Sequence, residues 1–479
     1  MPRCAGLLSQ IVVLSLSATL FAEVRVSGLF SHHMVLQQGA KVPVWGAASE
    51  GEEVTVRFGD KKASAKTKSG KWIVWLENLK PGRPPRSLTI SGENEIELED
   101  VVVGEVWICS GQSNMQWEVQ KSADASATIA GSLNEQIRLF SVPRLAATLP
   151  QSDVTGKWDL CTPLTVPTFS AVAYHFGREL QTRLNVPIGL INTSFGGTPA
   201  QAWTSREALA ANEQLQHYVG TPADPKNKNG PAGLYNAMIH PLVPYGIRGA
   251  IWYQGEANAG RAHEYRTLFP AMIADWRKAW GQGDFPFLFV QLAPFMPIVS
   301  EPVEAKSTWA ELREAQLLTM QEVPNSAMAV ITDVGDEKNI HPKQKAPVGQ
   351  RLALAARAIA YAEEDLVYSG PVFSESETKG NKVTLEFDHV GSGLMSKGGS
   401  LRGFAIAGKD GKFVAATAEI VTEKDKPAST IVVHSPEVSE PAAVRYGWAN
   451  YPTGNLWNKD GLPASPFRTD DFPLITAKK

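Results

Sequence analysis

Residues 101–115 read VVVGEVWICSGQSNM, an apolar run followed by a short polar turn. The run Val101–Cys109 is long enough for a buried strand, and Ser110–Asn114 supplies the Gly, Ser and Asn residues that mark a turn. A strand ending in such a turn is typical of an α/β domain, where ligands gather at the carboxyl ends of strands. Ser113 is therefore a candidate nucleophile, although Ser and Asn are also ordinary N-cap residues at such turns.

Strand-like and helix-like segments alternate beyond this turn, which predicts a mostly parallel sheet flanked by helices over residues 104–364. The helical segments carry apolar residues at helical spacing, and the strand-like ones are short apolar runs. The predicted helices are Val172–Leu184, Glu264–Trp280, Thr308–Glu322 and Ala346–Ala362, and the predicted strands are Pro187–Asn192, Arg248–Tyr253, Pro286–Leu292 and Ala327–Thr332.

Both flanks of the α/β region have β character. Residues 23–103 carry short alternating runs between Gly, Pro, Asn and Lys clusters, which predicts an N-terminal β-sandwich. Residues 365–479 are Gly/Ser-rich with short strands, which predicts a C-terminal β region. The clearest runs are Val42–Trp45, Glu53–Phe58, Lys71–Leu76, Ser87–Ile90, Ile96–Leu98, Lys382–Phe387 and Thr430–His434.

The composition is that of a folded protein and argues against several function classes. The chain has 479 residues, enough for about two or three domains, and 43% of them are hydrophobic. The 46 Lys and Arg against 49 Asp and Glu leave a net charge of −3. This near-neutral balance gives no sign of the basic surface that nucleic-acid binding requires. The three cysteines form no CxxC pair and no Cys/His metal spacing, so we expect no metal and no cofactor.

The first 22 residues have the layout of a secretory signal. Arg3 forms a short basic region, Leu7–Phe21 is apolar, and Ala18 and Ala22 are small residues suited to cleavage. The alternative is a membrane-anchored N-terminus, but the apolar run is short for a transmembrane helix. We expect a secreted or periplasmic protein with no membrane span in the mature chain.

Two cysteines, Cys109 and Cys161, remain after cleavage of this segment. They could pair in an oxidising compartment. Cys109 lies in an apolar run, however, which favours a buried thiol that acts as a small hydrophobic residue.

A serine nucleophile needs a base, and His341 is the best placed of the nine histidines. It follows the predicted strand Ala327–Thr332 and a polar loop, and it precedes an Ala-rich helix. His240 is the second candidate, for which a structural role is the better interpretation. The Ser113 turn is not the GxSxG nucleophile elbow, because Met115 stands where the second Gly would be.

Several blocks in register resemble the sialate O-acetylesterase family within the SGNH hydrolase superfamily. The resemblance covers nearly the whole mature chain and implies an SGNH-hydrolase-like central parallel sheet. The segment Glu105–Met115 resembles the nucleophile block of the family, and Ile340–Lys343 resembles its histidine block. The other matching segments are Leu29–Gln37, Ile188–Trp203 and Ile247–Ala259.

The resemblance implies a metal-independent serine esterase, with Ser113 as the nucleophile and His341 as the general base and acid. It implies three oxyanion donors: the N–H of Ser113, a backbone N–H from Gly196 and Gly197, and the side-chain amide of Gln254. The alternative is that the glycines only form a tight turn and that Gln254 only braces it.

The acid that orients His341 is left open. SGNH enzymes commonly place Asp three residues before the His, but Lys338 occupies that position. Asp336 and Asp333 are the nearest candidates, and a Ser–His dyad oriented by a backbone carbonyl is a further alternative. Glu256 could bind a substrate hydroxyl or hold its own loop.

The sequence therefore predicts a secreted carbohydrate O-acetylesterase that removes O-acetyl groups from sialic acids through an acetyl-Ser113 intermediate. A second hypothesis is an acetylxylan or other polysaccharide acetylesterase, because sugar preference lies in loops rather than in the catalytic blocks. A third is a non-catalytic carbohydrate-binding protein, which the β regions and 13 Trp would suit. The expected partner is an O-acetylated glycan, and the oligomeric state is not predicted.

Overall fold

The chain folds into a central α/β region with β structure on either side. The computed structural model describes residues 23–221 and 224–477. The predicted signal segment, residues 1–22, lies outside these residues. The predicted mixed α/β class, with a central sheet, helices and extra β regions, is confirmed.

The N-terminal region consists of mostly antiparallel strands around a buried apolar core, with β2 parallel to β8. Apolar and polar residues alternate along β6, so one face of this strand packs against the core and the other is exposed. Strands β1, β3 and β6 form one sheet, and β7 pairs with both β4 and β8. The strands are β1 (Arg25–Val26), β2 (Val35–Gln37), β3 (Val42–Ala47), β4 (Glu53–Phe58), β5 (Lys61–Lys66), β6 (Lys71–Leu76), β7 (Gly82–Ser91) and β8 (Glu95–Gly111).

Strand β8 joins the N-terminal region to the α/β region. Its first half pairs with β7, and its second half runs through the middle of the central sheet. The predicted strands Ile96–Leu98 and Val101–Cys109 are thus one continuous strand, interrupted locally at Asp100, where φ is +55°. The predicted boundary between residues 103 and 104 falls inside this strand.

The central sheet has the order β10–β9–β11–β8–β12–β13–β14. Neighbouring strands pair in parallel except at the edge strand β10, which is antiparallel to β9. The remaining strands are β9 (Asn134–Ser141), β10 (Trp158–Cys161), β11 (Ile188–Ser194), β12 (Gly249–Tyr253), β13 (Phe287–Val290) and β14 (Ser326–Ala329).

Helices cover both faces of this sheet. Alternate residues of β8 point to opposite faces, and both sets are apolar and buried. Trp107 and Cys109 belong to the core under α3 and α7, whereas Val106 and Ile108 belong to the core under α5. No helix within the described ranges is both long enough and apolar enough to cross a bilayer. The helices are α1 (Ser113–Gln116), α2 (Ala125–Ala130), α3 (Ala171–Leu184), α4 (Arg206–Ala211), α5 (Ala262–Trp280), α6 (Thr308–Glu322) and α7 (Ala346–Ile359).

The C-terminal region forms small antiparallel sheets that pack on α6. The buried guanidinium of Arg313 donates hydrogen bonds to the Ala449 and Asn450 carbonyls, and Arg468 pairs with Glu314. The strands are β15 (Val372–Lys379), β16 (Lys382–Asp388), β17 (Leu394–Ser396), β18 (Phe404–Ala407), β19 (Val414–Ala415), β20 (Thr417–Val421), β21 (Thr430–His434), β22 (Ala443–Tyr446), β23 (Leu456–Asn458) and β24 (Phe467–Arg468).

The two described cysteines are buried and unpaired. Burial raises the pKa of both thiols, that of Cys161 to about 12. Cys109 and Cys161 are thus inert core residues rather than a disulfide or a reactive thiol.

Candidate active site

Ser113 lies directly beyond the carboxyl end of the middle strand of the central sheet, at the start of α1. The turn depends on Gly111, because a Cβ there would lie 2.2 Å from the Tyr253 carbonyl oxygen and φ is +138°. The Gln112 N–H donates to the same Tyr253 oxygen at 2.9 Å, which fixes the turn against β12. The Ser113 N–H is one of those that a helix leaves without an intrahelical partner.

His341 reaches this serine from the loop between β14 and α7. Its Nε2 lies 2.8 Å from Ser113 Oγ. The imidazole stacks on Trp117, with ring centroids 5.1 Å apart, and the His341 backbone N–H donates to Asn339 Oδ1 at 2.9 Å. Burial and the nearby charge of Lys345 lower the pKa of His341. Neutral imidazole can accept the Ser113 proton, so this arrangement is competent for base-assisted nucleophilic attack.

Neither predicted acid is bonded to the imidazole. The two carboxylate oxygens of Asp333 accept hydrogen bonds from Arg351 at 2.6 and 2.8 Å. Asp336 Oδ1 instead caps its own loop by accepting the N–H groups of Lys338 and Asn339. Within residues 23–221 and 224–477, no carboxylate hydrogen-bonds to His341. The structure therefore brings together Ser113 and His341 without the acid.

A buried polar cluster joins the segments that carry Ser113 and His341 through Asn114. The Asn114 amide donates to the Ile340 carbonyl at 3.0 Å and to Glu256 Oε1 at 2.5 Å. Lys345 donates from its ammonium group to Asn114 Oδ1. One side chain next to Ser113 thus holds the residue that precedes His341.

The two ionisable members of this cluster are strongly affected by burial. Burial lowers the pKa of Lys345 to about 7, and burial raises the pKa of Glu256. Glu256 Oε2 is buried without a partner among the described residues. Glu256, predicted either to bind substrate or to hold its loop, accepts a hydrogen bond from Asn114 and interacts with the charge of Lys345.

The Gly196 and Gly197 loop follows β11 and lies against the nucleophile. A Cβ at Gly196 would lie 3.2 Å from the Ser113 Cβ, a tight approach that favours glycine. The Gly196 N–H donates to Gln116 Oε1 at 2.7 Å, and Lys228 donates to the Gly196 carbonyl at 2.6 Å. Gly197 has φ +73°, which also favours glycine. The Gly196 N–H, one of the predicted oxyanion donors, is thus already used.

Gln254 is fully buried, and its amide is satisfied within the protein. Its Nε2 donates to Asn258 Oδ1 at 2.6 Å and to the Thr198 carbonyl at 3.3 Å, while its Oε1 accepts from Tyr265. Asn258 in turn accepts the Ala200 N–H at 2.8 Å. The geometry therefore gives Gln254 a bracing contact to the glycine loop and leaves neither amide N–H for an oxyanion.

Asn114, Gln116, Trp117 and Lys345 are site residues that the sequence patterns do not reveal. Asn114 is hidden because its type suits an N-cap equally well. Gln116 does carry a signal, since it lies three residues after Ser113 in α1 and residues at this spacing share a helix face. Lys345 carries none, because it and His341 both lie in the loop before α7.

A serine hydroxyl lies within hydrogen-bond distance of an imidazole at the carboxyl edge of this α/β sheet. Such a pair can form a serine ester with an acyl group, so the fold and the site are those of an acyl-transferring hydrolase. The described residues contain no group of three or more His, Cys, Asp or Glu side chains that could hold a metal ion.

Comparisons with known proteins identify the family. Residues 103–358 match the family model described as carbohydrate esterase, sialic acid-specific acetylesterase. The human sialate O-acetylesterase is 32% identical over 488 residues, 92% of each chain, and the rat enzyme is 32% identical over 81% of this chain and 83% of its own. The crystal structure of a carbohydrate acetylesterase from Xanthomonas citri is 40% identical, with a TM-score of 0.86 over 94% of this chain and 100% of that one.

The chain therefore belongs to the sialic acid-specific acetylesterase family of carbohydrate esterases. It is an ester hydrolase of the carbohydrate O-acetylesterase type, which confirms the activity class and the resemblance inferred from the sequence.

Proposed function

We propose that Ser113 and His341 are the catalytic pair of this esterase, and the 2.8 Å contact between His341 Nε2 and Ser113 Oγ carries the proposal. His341 takes the hydroxyl proton as Ser113 attacks the acetyl carbonyl. The tetrahedral intermediate expels the sugar alkoxide, which receives that proton and leaves as an alcohol. Water, deprotonated by His341, then attacks acetyl-Ser113 and releases acetic acid.

Backbone groups around Ser113 supply oxyanion stabilisation in this proposal. In this proposal the Ser113 N–H, from α1, and the Gly197 N–H, from the glycine loop, donate to the oxyanion. The Gly196 N–H and the Gln254 amide shape this loop, since both are engaged in the structure. Loss of a single oxyanion donor typically slows acyl transfer by about 10²–10³-fold.

The pair works as a dyad in this proposal. An acid is not the only group that can orient the base, because any acceptor that fixes the imidazole tautomer serves. Here the Trp117 ring supports one face of His341, and Asn114 holds the preceding carbonyl. Asp336 caps its own loop and Asp333 pairs with Arg351, so neither is assigned to orient the imidazole.

We propose O-acetylated sialic acids as the substrate, which the family model and the human and rat relatives support by their names. Acetylated polysaccharide is the second candidate, because the Xanthomonas citri relative is described only as a carbohydrate acetylesterase. A non-catalytic carbohydrate-binding role is disfavoured by the intact Ser113–His341 contact.

The experiment that tests the pair and the substrate uses the purified chain with p-nitrophenyl acetate, O-acetylated sialoglycans and acetylated xylan. We expect acetate release from the sialoglycans and loss of all activity in Ser113→Ala with an unchanged melting temperature. Activity retained by Ser113→Ala would refute the catalytic assignment. Release from xylan alone would refute the sialate assignment and leave the esterase intact.

The proposal also covers the export of the protein and its domain organisation. Residues 1–22 act as a cleaved signal, and the mature protein is secreted or periplasmic. Residues 23–103, 104–364 and 365–479 form a β-sandwich, an SGNH-hydrolase-like catalytic domain and a C-terminal β region. Mass spectrometry of the exported protein would reveal whether the mature chain begins at Glu23.

A further inference from the structure

The Lys228 side chain contacts the glycine loop that borders the nucleophile. Its Nζ donates to the Gly196 carbonyl oxygen at 2.6 Å. A Cβ built at Gly197 would lie 3.5 Å from this Nζ, and one built at Gly196 would lie 3.2 Å from the Ser113 Cβ. Because the carbonyl oxygen and the Cβ of one residue are about 3 Å apart, the ammonium lies within roughly 9 Å of the Ser113 side chain.

Contacts on the glycine loop hold this ammonium in place and leave most of its donors unused. The Nζ lies 4.9 Å from the centroid of the Phe195 ring, a cation–π distance. A lysine ammonium has three N–H donors, and the Gly196 carbonyl takes one. Within residues 23–221 and 224–477, no carboxylate forms an ion pair with Lys228. Two N–H groups of a positioned cation are therefore left for a ligand.

The surroundings of the ammonium are open to a ligand. Gly197 is exposed, and Lys228, Phe195 and Ser113 are half-buried. The alternative role for Lys228 is to brace the loop. A neutral side chain could hold the Gly196 carbonyl equally well, however, and partly burying a charge costs free energy. The charge itself therefore points to an anionic ligand rather than to a brace.

We propose that Lys228 binds the carboxylate of an acidic sugar while the acetyl ester of that sugar lies at Ser113. The inference rests on the proposed sialate substrate, because a sialic acid carries a carboxylate on the same monosaccharide as its O-acetyl groups. The acetylated xylose units of xylan carry no such group, so Lys228 favours acidic over neutral substrates. The carboxylate does not change during acyl transfer, so this contact lowers KM rather than raising kcat.

The test measures acetate release from an O-acetylated sialic acid glycoside in two forms, the free acid and its uncharged methyl ester. The ratio of kcat/KM for the acid to that for the ester reports carboxylate recognition, because a loosened glycine loop slows both forms alike. We expect a ratio above about 10 in the wild type, through a lower KM for the acid, and a ratio of about 1 in Lys228→Met. Lys228→Arg keeps a cation and should retain most of the ratio. Lys226→Met, at an exposed lysine on the same loop, is the matched control and should keep the wild-type ratio.

Three results would overturn the role of Lys228. Equal turnover of acid and ester by the wild type, or an unchanged ratio in Lys228→Met, would show that Lys228 only braces the loop. An equal fall of the ratio in Lys226→Met would show that the overall charge of the loop favours the acid. Hydrolysis of p-nitrophenyl acetate separates these results from a failure of the proposed function: a wild-type enzyme that cleaves it but releases acetate from neither sialic acid form would refute the sialate substrate, and the carboxylate contact with it.

Discussion

The nucleophile turn and the histidine loop hold the two halves of the site in different ways. A single residue, Gln112, separates β8 from α1, and buried residues surround Ser113. The histidine loop runs from residue 330 to 345, and Asp336, Glu337 and Lys338 are exposed. The core of the sheet positions the serine, whereas the imidazole depends on a few side-chain contacts.

Those contacts come largely from the nucleophile side. Trp117 stacks on the imidazole, and Asn114 bonds to the Ile340 carbonyl. Both residues lie within four positions of Ser113. An exposed loop can thus carry a catalytic group at a defined distance, because the segment bearing its partner holds it in place.

The largest expected effect comes from removing the imidazole. His341→Ala should lower kcat/KM by about 10²–10⁴-fold, the usual contribution of a positioned base. The melting temperature should change little, because the loop contributes few core contacts. Kinetics with p-nitrophenyl acetate and a thermal melt check this. His240→Ala is the control, and an equal loss in that variant would contradict the assignment.

The next effect comes from breaking the link between the two segments. Asn114→Ala removes the hold on Ile340 and the hydrogen bonds of Asn114 with Lys345 and Glu256, which should cost about 1–3 kcal/mol of stability. We expect kcat to fall about 10–100-fold, the scale reported for loss of a supporting contact at an active site. Urea unfolding and steady-state kinetics measure the two effects.

Asn114→Asp tests whether the Asn114 amide links the two segments by donating hydrogen bonds. The acid keeps an acceptor for Lys345 but places a carboxylate against Glu256 Oε1, now 2.5 Å from the amide. Its activity relative to that of the wild type at the same pH should therefore rise as pH falls, because protonation restores a donor. A flat pH response in Asn114→Asp would show that the amide does not hold the loop through donation.

The fold was predictable where a local pattern determined it. Glu53–Phe58, Lys71–Leu76 and Thr308–Glu322 were predicted with the bounds of β4, β6 and α6. Strand β9 was missed, because Asn134–Gln136 is polar and masks the apolar half of the strand. Strand β8 was predicted as two separate runs, Ile96–Leu98 and Val101–Cys109, because Asp100 with its positive φ interrupts the apolar pattern while the strand continues.

The site was predictable only for groups that lie in sequence blocks. Ser113 and His341 were identified, and the structure brings them together. The engagement of Asp333 could not be foreseen, because its partner Arg351 lies 18 residues away on α7. The same holds for Gln254, whose partners become visible only once the loops around Thr198 and Asn258 are folded together.

A smaller effect concerns pH. Burial and, after it, the charge of Lys345 lower the pKa of His341, so neutral, active imidazole persists to lower pH than an ordinary histidine would allow. Lys345→Met removes that charge, the His341 pKa should rise, and the acid limb of kcat/KM should move to higher pH while the plateau is retained. Lys343→Met, exposed on the same loop, is the control. A shift to lower pH in Lys345→Met would contradict this reasoning.

The smallest effect is expected at the predicted acids, and it tests whether the site is a dyad. Asp336→Asn should change kcat by no more than about twofold, the scale of a surface substitution of about 0.5 kcal/mol. Asp333→Asn weakens the pair with Arg351 and should lower stability by up to about 1 kcal/mol without affecting kcat. A fall of 10²-fold or more in either variant, measured by steady-state kinetics, would mean that the histidine loop rearranges on substrate binding to bring a carboxylate to His341. The loop would then differ from the nucleophile turn in being completed by the substrate rather than by the fold.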